Sequence, residues 1–174
     1  MNKVVSKLSQ ATNLVLYITL QVAVARYMVF FHTAFCFVYV AFLLLLPRRQ
    51  ESLVTLLCIS FGMGLLVDMF YNSMGLHAFA AVLMVYSRSL LLPLMLPTNG
   101  YEATARPTLS HLGWKRFTLF ALPLISIHHA ALFLLDAGNP LLFFVAMRKL
   151  LFSVLLTYGA VLITQIPTLL LSKR

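Results

Sequence analysis

Acidic side chains are almost missing from this sequence. Among 174 residues there are four, Glu51, Asp68, Glu102 and Asp136, against thirteen lysines and arginines. Four acids spread over four regions supply no carboxylate pair for general acid–base work. Cysteine is equally scarce. Cys36 and Cys58 both fall within apolar runs, where a packed thiol is the expectation rather than a disulfide framework or a metal pair. Charge of either sign is sparse, at 10% of the chain, and there is one tryptophan. Catalytic motifs are absent too: no HExxH, no phosphate loop and no dinucleotide-binding glycine fingerprint occurs. Short segments alternating apolar with polar residues, which a transmembrane β-barrel would need, do not appear.

What is present is apolar. Hydrophobic residues make up 61% of the chain. A soluble domain has no room to hide so much apolar surface, and long apolar runs recur, so the sequence reads as an all-α membrane protein. Six transmembrane helices are expected, roughly over 11–25, 30–46, 52–70, 75–96, 117–135 and 150–171. The first run lacks a small-residue cleavage site and is expected to stay as a span. The breaks between spans have local causes. Residues 47–51 (PRRQE) are a charged break, and 98–113 is a sixteen-residue polar connector that suits a cytoplasmic contact. Residues 136–140 (DAGNP) combine a helix stop with a restart signal. The boundary at Arg26-Tyr27 is the weakest, because one long tilted helix could also pass through it.

The net charge of +9 would suggest nucleic acid in a soluble protein. Here the cations gather at span ends, so they set topology and meet lipid headgroups, with no nucleic-acid partner. With the N-terminus in the cytoplasm, nine basic residues fall inside (Lys3, Lys7, Arg48, Arg49, Arg106, Lys115, Arg116, Lys173 and Arg174). Three fall outside, Arg26, Arg148 and Lys149. Both termini are therefore expected in the cytoplasm, and the protein in the cytoplasmic membrane.

The informative stretch is 61–80, FGMGLLVDMFYNSMGLHAFA. An ionisable group at membrane depth marks a functional site by default. Gly62 and Gly64 carry no side-chain bulk and would let another helix approach. Asn72 and Gly75 are residues that break a helix with positive φ. On one continuous helix Asp68 and His77, nine apart, would face away from each other. Across a turn they can meet at the outer end, holding the third and fourth spans together. Arg88, on the His77–Ala81–Met84 face, either snorkels, pairs with an acid or binds backbone carbonyls. His128 and His129 in the fifth span are the remaining candidates for the network. Adjacent histidines point about 100° apart, and the set has no ligand spacing, so no metal and no cofactor is expected. In the first span Asn13, Tyr17 and Gln21 form one stripe, which should face protein, either its own bundle or a partner's helix. Pro123 should kink the fifth span.

The segment GLLVDMFYNSMGLHAFAAVLMVYSR resembles the hallmark of MreD, the rod shape-determining membrane protein family, in its Bacteroidota form. The runs YVAFLLLLP at 39–47 and PTNGYE at 97–102, and the pair His128-His129, match as well. The resemblance implies a fold like that of the six-helix substrate-binding subunits of energy-coupling-factor transporters. It also implies a non-enzymatic scaffold of the peptidoglycan elongation machinery, with MreC as direct partner and MreB, RodA and a class B penicillin-binding protein nearby. The alternative is a vitamin-like solute-binding transporter subunit. Such subunits dock through alanines four apart in the first helix, a spacing that Ala11, Ala23 and Ala25 do not give.

Overall fold

The computed structural model describes residues 3–30, 33–46, 52–95 and 106–172. The charged break at 47–51, the PTNGYE stretch and Lys173–Arg174 lie outside the described residues. The fold is all-α apart from one two-stranded ribbon. α1 spans Lys3–Ala23, followed by a 3-10 turn at Ala25–Tyr27. The ribbon pairs β1, Val29–Phe30, with β2, Ala34–Phe35. A short α2 covers Tyr39–Leu44. Then come α3, Leu53–Tyr71, α4, Leu76–Met95, and α5, Leu109–Ala137. A 3-10 turn at Pro140–Leu142 leads into α6, Phe143–Ser172.

Among the described residues, four helical stretches are long and apolar enough to cross a membrane: 53–71, 76–95, 109–137 and 140–167. The chain is a multi-pass membrane protein on that ground. Large apolar side chains such as Met69, Leu94, Phe144 and Leu155 stand exposed on the outside of these helices, as lipid-facing residues do. Pairs α3–α4, α4–α5 and α5–α6 pack side by side.

The largest departure from the sequence reading is at 30–46. No continuous helix forms there. After the ribbon, residues 36–37 have no regular structure, Val38 already takes right-handed helical values (φ −63°, ψ −29°), and helix forms only over the six residues of α2, all of them buried. α2 touches α1, α4, α5 and α6, so the least regular part of the chain lies in the middle of the bundle. Irregular backbone at membrane depth is tolerated only where protein surrounds it, and this position satisfies that condition.

Local signals account for the helix ends. The Ser52 side chain accepts from the Thr55 N–H at 3.2 Å and opens α3. Asn72 closes α3 in the left-handed region (φ 54°, ψ 45°). Gly138 ends α5 at φ 57°, and Asn139 accepts from the Leu141 N–H at 2.9 Å one step later. In α5 the backbone leaves helical values at Gly113 (φ 72°, ψ 164°), while Pro123 is carried inside the helix. The departure at Gly113 falls where the polar connector was expected to end, and glycine permits its positive φ. The end of the expected solvated connector also differs: Pro107, Thr108, Leu109 and Leu112 are buried. The Leu109 N–H reaches Gln165 Oε1 of α6 at 3.4 Å.

Candidate functional site

Four residues, 72–75, reverse the chain between α3 and α4. Asn72, Met74 and Gly75 all have positive φ (54°, 47° and 89°), so the turn is tight and strongly specified. It returns α4 close beside α3. A Cβ added to Gly64 would lie 2.4 Å from the Ala78 Cα, an impossible contact with backbone. Gly62 behaves differently: a Cβ there meets nothing within 4 Å. The close approach belongs to Gly64, and Gly62 faces the groove between α1 and α3 that Leu14, Cys58 and Met69 also line. Cys58 is exposed on that face, whereas Cys36 is buried.

The turn brings Asp68 under the first turn of α4. Its carboxylate accepts from the backbone N–H of His77 through Oδ1 and of Ala78 through Oδ2, both at 2.9 Å. These are N–H groups that a helix start leaves without partners. An anion at that position also faces the positive end of the helix dipole. The His77 Nδ1 lies 3.0 Å from the same Oδ1, and the Ser73 hydroxyl donates to it at 2.5 Å. Asp68 is 4% exposed and His77 3%, so these contacts are made away from solvent. The arrangement is a helix cap supplied from the end of the preceding helix.

The residue types Ser, His and Asp invite a comparison with a nucleophile relay. A relay needs the acid on one ring nitrogen and the hydroxyl on the other. Here Ser73 Oγ (2.8 Å) and Asp68 both face Nδ1. His77 Nε2 is buried with no hydrogen-bond partner among the described residues. The geometry orders the turn rather than activating the hydroxyl.

Arg88 does not join this cap. It reaches across to α2, donating from Nε to the Leu44 carbonyl at 3.1 Å and from Nη2 to the Leu46 carbonyl. Carbonyls at a helix C-terminus lack intrahelical partners and carry partial negative charge. A guanidinium, with donors in a fixed fork, serves two of them at once. The residue is 2% exposed, buried in the core as a capping group.

The start of the broken segment is served from three other helices. Gln21 of α1 donates to the Cys36 carbonyl (3.1 Å) and to the Tyr71 hydroxyl (2.7 Å), and accepts from the Tyr39 N–H (3.3 Å). On α6, Ser153 accepts from the Phe35 N–H at 2.9 Å and Thr157 from the Phe37 N–H at 3.1 Å. His129 of α5 donates Nδ1–H to the Ile125 carbonyl at 2.8 Å, which leaves Nε2 to accept from Thr157 at 3.1 Å. His128 Nε2 is hydrogen-bonded to the Tyr39 hydroxyl at 2.5 Å. The two adjacent histidines thus take separate partners.

The expected cluster of Asp68, Asn72, Gly75, His77, Arg88, His128 and His129 resolves into three places. Asp68, Asn72, Gly75 and His77 form the turn and its cap. His128 and His129 support the entry of the broken segment. Arg88 holds its exit. The first two places touch through the Phe37 ring, whose centroid lies 5.3, 5.9 and 5.2 Å from those of His77, His128 and His129, and through the Tyr39 ring, 6.3 and 5.5 Å from those of His77 and His128. Ser73, Phe37 and Tyr39 complete the picture and were not singled out by sequence. Ser73 had a usable signal, falling five residues after Asp68 and four before His77. Phe37 and Tyr39 had none, because an aromatic run offers no stripe to choose from. The stripe on α1 does turn inward, with Gln21 fully buried and the Tyr17 ring 6.1 Å from that of Phe42.

No group of three or more histidines, cysteines or acids stands close enough to hold a metal ion among the described residues. Compared with known protein families, curated proteins and solved structures, the chain matches none of them.

Proposed function

We propose that the protein is a non-enzymatic scaffold of the cytoplasmic membrane, of the MreD kind. In this reading it binds MreC and helps to position the peptidoglycan elongation proteins, among them MreB, RodA and a class B penicillin-binding protein. The observation that carries the reading is how the buried polar groups are spent. Asp68, Arg88, Gln21, Ser153 and Thr157 each satisfy backbone N–H or C=O groups of the protein itself. Polar side chains used this way fix helix register and leave few groups converging on a reacting atom. The segment that carries the family resemblance, 64–88, is also the segment with the cap, the close approach at Gly64 and the buried arginine.

Six crossings complete the proposal. α1, 21 residues or about 31 Å long, and the broken segment add two passes to the four apolar helices. Both termini then lie in the cytoplasm, and the turn at 72–75 faces outward.

The test is purification of the tagged full-length protein from its native membrane in mild detergent, followed by identification of what comes with it. Recovery of MreC together with elongation enzymes is the expected result. Recovery of transporter ATPases without MreC would replace this reading with the solute-binding one.

A further inference from the structure

The end of the bundle that carries the turn at 72–75 and the end of α5 holds a cavity of about 140 Å³. Its walls are largely aromatic: Phe35, Phe37, Tyr71 and Phe133. Phe35 and Phe37 run nearly parallel, at 6.4 Å and 6°, and Phe133 is tilted against them at 5.7 and 6.2 Å. Two opposite charges border the space, Asp136 and Lys149. The Lys149 Nζ sits 5.8 Å from the centre of the Phe35 ring, so its charge is held against the aromatic wall. His77 also lines the cavity.

We propose that this cavity binds a small single-ring aromatic carboxylate. Size favours one ring: a cavity of about 150 Å³ takes one benzene. Aromatic walls favour a ring over an aliphatic chain, through edge-to-face and offset contacts. Charge selects the substituent. Asp136 is exposed, whereas Lys149 is half-buried against Phe35, so the lysine is screened less and makes the stronger pairing with an anion. The site lies within one chain, so the proposal stands or falls independently of the partner reading.

The experiment is calorimetric titration of the purified full-length protein in detergent with benzoate, alongside hexanoate as an aliphatic carboxylate of similar size. Benzoate should bind saturably with a Kd of about 1 mM or tighter, the range open to a ligand of so few atoms. Hexanoate should bind at least about tenfold more weakly. Lys149→Gln, a substitution at the cavity border that leaves the capping contacts alone, should weaken benzoate about tenfold. Leu76→Trp, which fills the space, should abolish binding, while Leu155→Trp on the lipid-facing side of α6 should leave it unchanged. If Leu76→Trp fails to fold, Lys149→Gln decides. The proposal is overturned by absence of saturation up to about 20 mM, by equal binding of hexanoate, or by benzoate binding that Lys149→Gln does not weaken. A cavity built for a partner's aromatic side chain would give the first of these.

Discussion

Residues 68–78 and residues 33–46 both interrupt a helix in apolar surroundings, and both must find partners for backbone groups that the interruption releases. They do it over very different distances. The turn is nearly self-sufficient. Its left-handed residues, its capping carboxylate and the N–H groups it caps all lie within eleven positions of one another. The broken segment depends on side chains far away in sequence: Gln21, Arg88, Ser153 and Thr157, from three helices, the last two separated from their partners by 118 and 120 residues. A turn of the first kind is specified by its own residues. A segment of the second kind acquires its shape only once the bundle around it has assembled.

The sharpest way to break this contrast is at Arg88. Arg88→Ala removes two hydrogen bonds from buried carbonyls and leaves a void, and should lower stability by about 3–5 kcal/mol. Unfolding by a denaturing detergent, followed by helical circular dichroism, measures it. Arg88→Lys should recover only part of the loss, since one ammonium does not reproduce the guanidinium fork. A full recovery with lysine would show that the charge matters and the fork does not.

The next effect concerns the glycines. Gly64→Ala must push α3 away from the backbone of Ala78 and should cost about 1–3 kcal/mol. Gly62→Ala adds a methyl to open space and should change stability by less than about 0.5 kcal/mol. Thermal unfolding of the pair in the same detergent compares them. Equal losses would mean that helix packing at 64 is looser than the close approach implies.

The smallest effect is expected at the cap. Asp68→Asn keeps the shape and one acceptor oxygen, but loses the charge at the start of α4 and one of the two backbone acceptors, at a cost of about 1–2 kcal/mol. Hydrogen exchange should show the loss concentrated at the His77 and Ala78 amides, with the broken segment unaffected. Faster exchange at Phe35 or Phe37 instead would show that the two regions are coupled through the Phe37 ring.

The contrast also explains what could be read in advance. The meeting of Asp68 with His77, the turn residues Asn72 and Gly75, and the stop and restart at 136–140 all rest on interactions between near neighbours, and composition leaves such signals visible. The stripe on α1 follows from helical spacing alone, and the structure turns it inward at Gln21. Arg88 was narrowed to three alternatives, but the choice among them needed the C-terminus of α2, more than forty residues away in sequence, to be packed against it. Glycine illustrates the limit well. Gly62 and Gly64 are equivalent by sequence, yet only Gly64 lies where α4 crosses, because two residues turn a helix by about 200°.

The sequence by itself determined that this is a helical membrane protein with a specified turn between α3 and α4, since apolar run length and positive-φ residues act locally. Only the tertiary structure decided the course of residues 29–30 and 33–46. An apolar run is equally compatible with a helix and with an irregular path, and an irregular path becomes stable when other helices bring the missing hydrogen bonds. Here Gln21, Arg88, Ser153 and Thr157 bring them, and their arrival depends on the packing of the whole bundle.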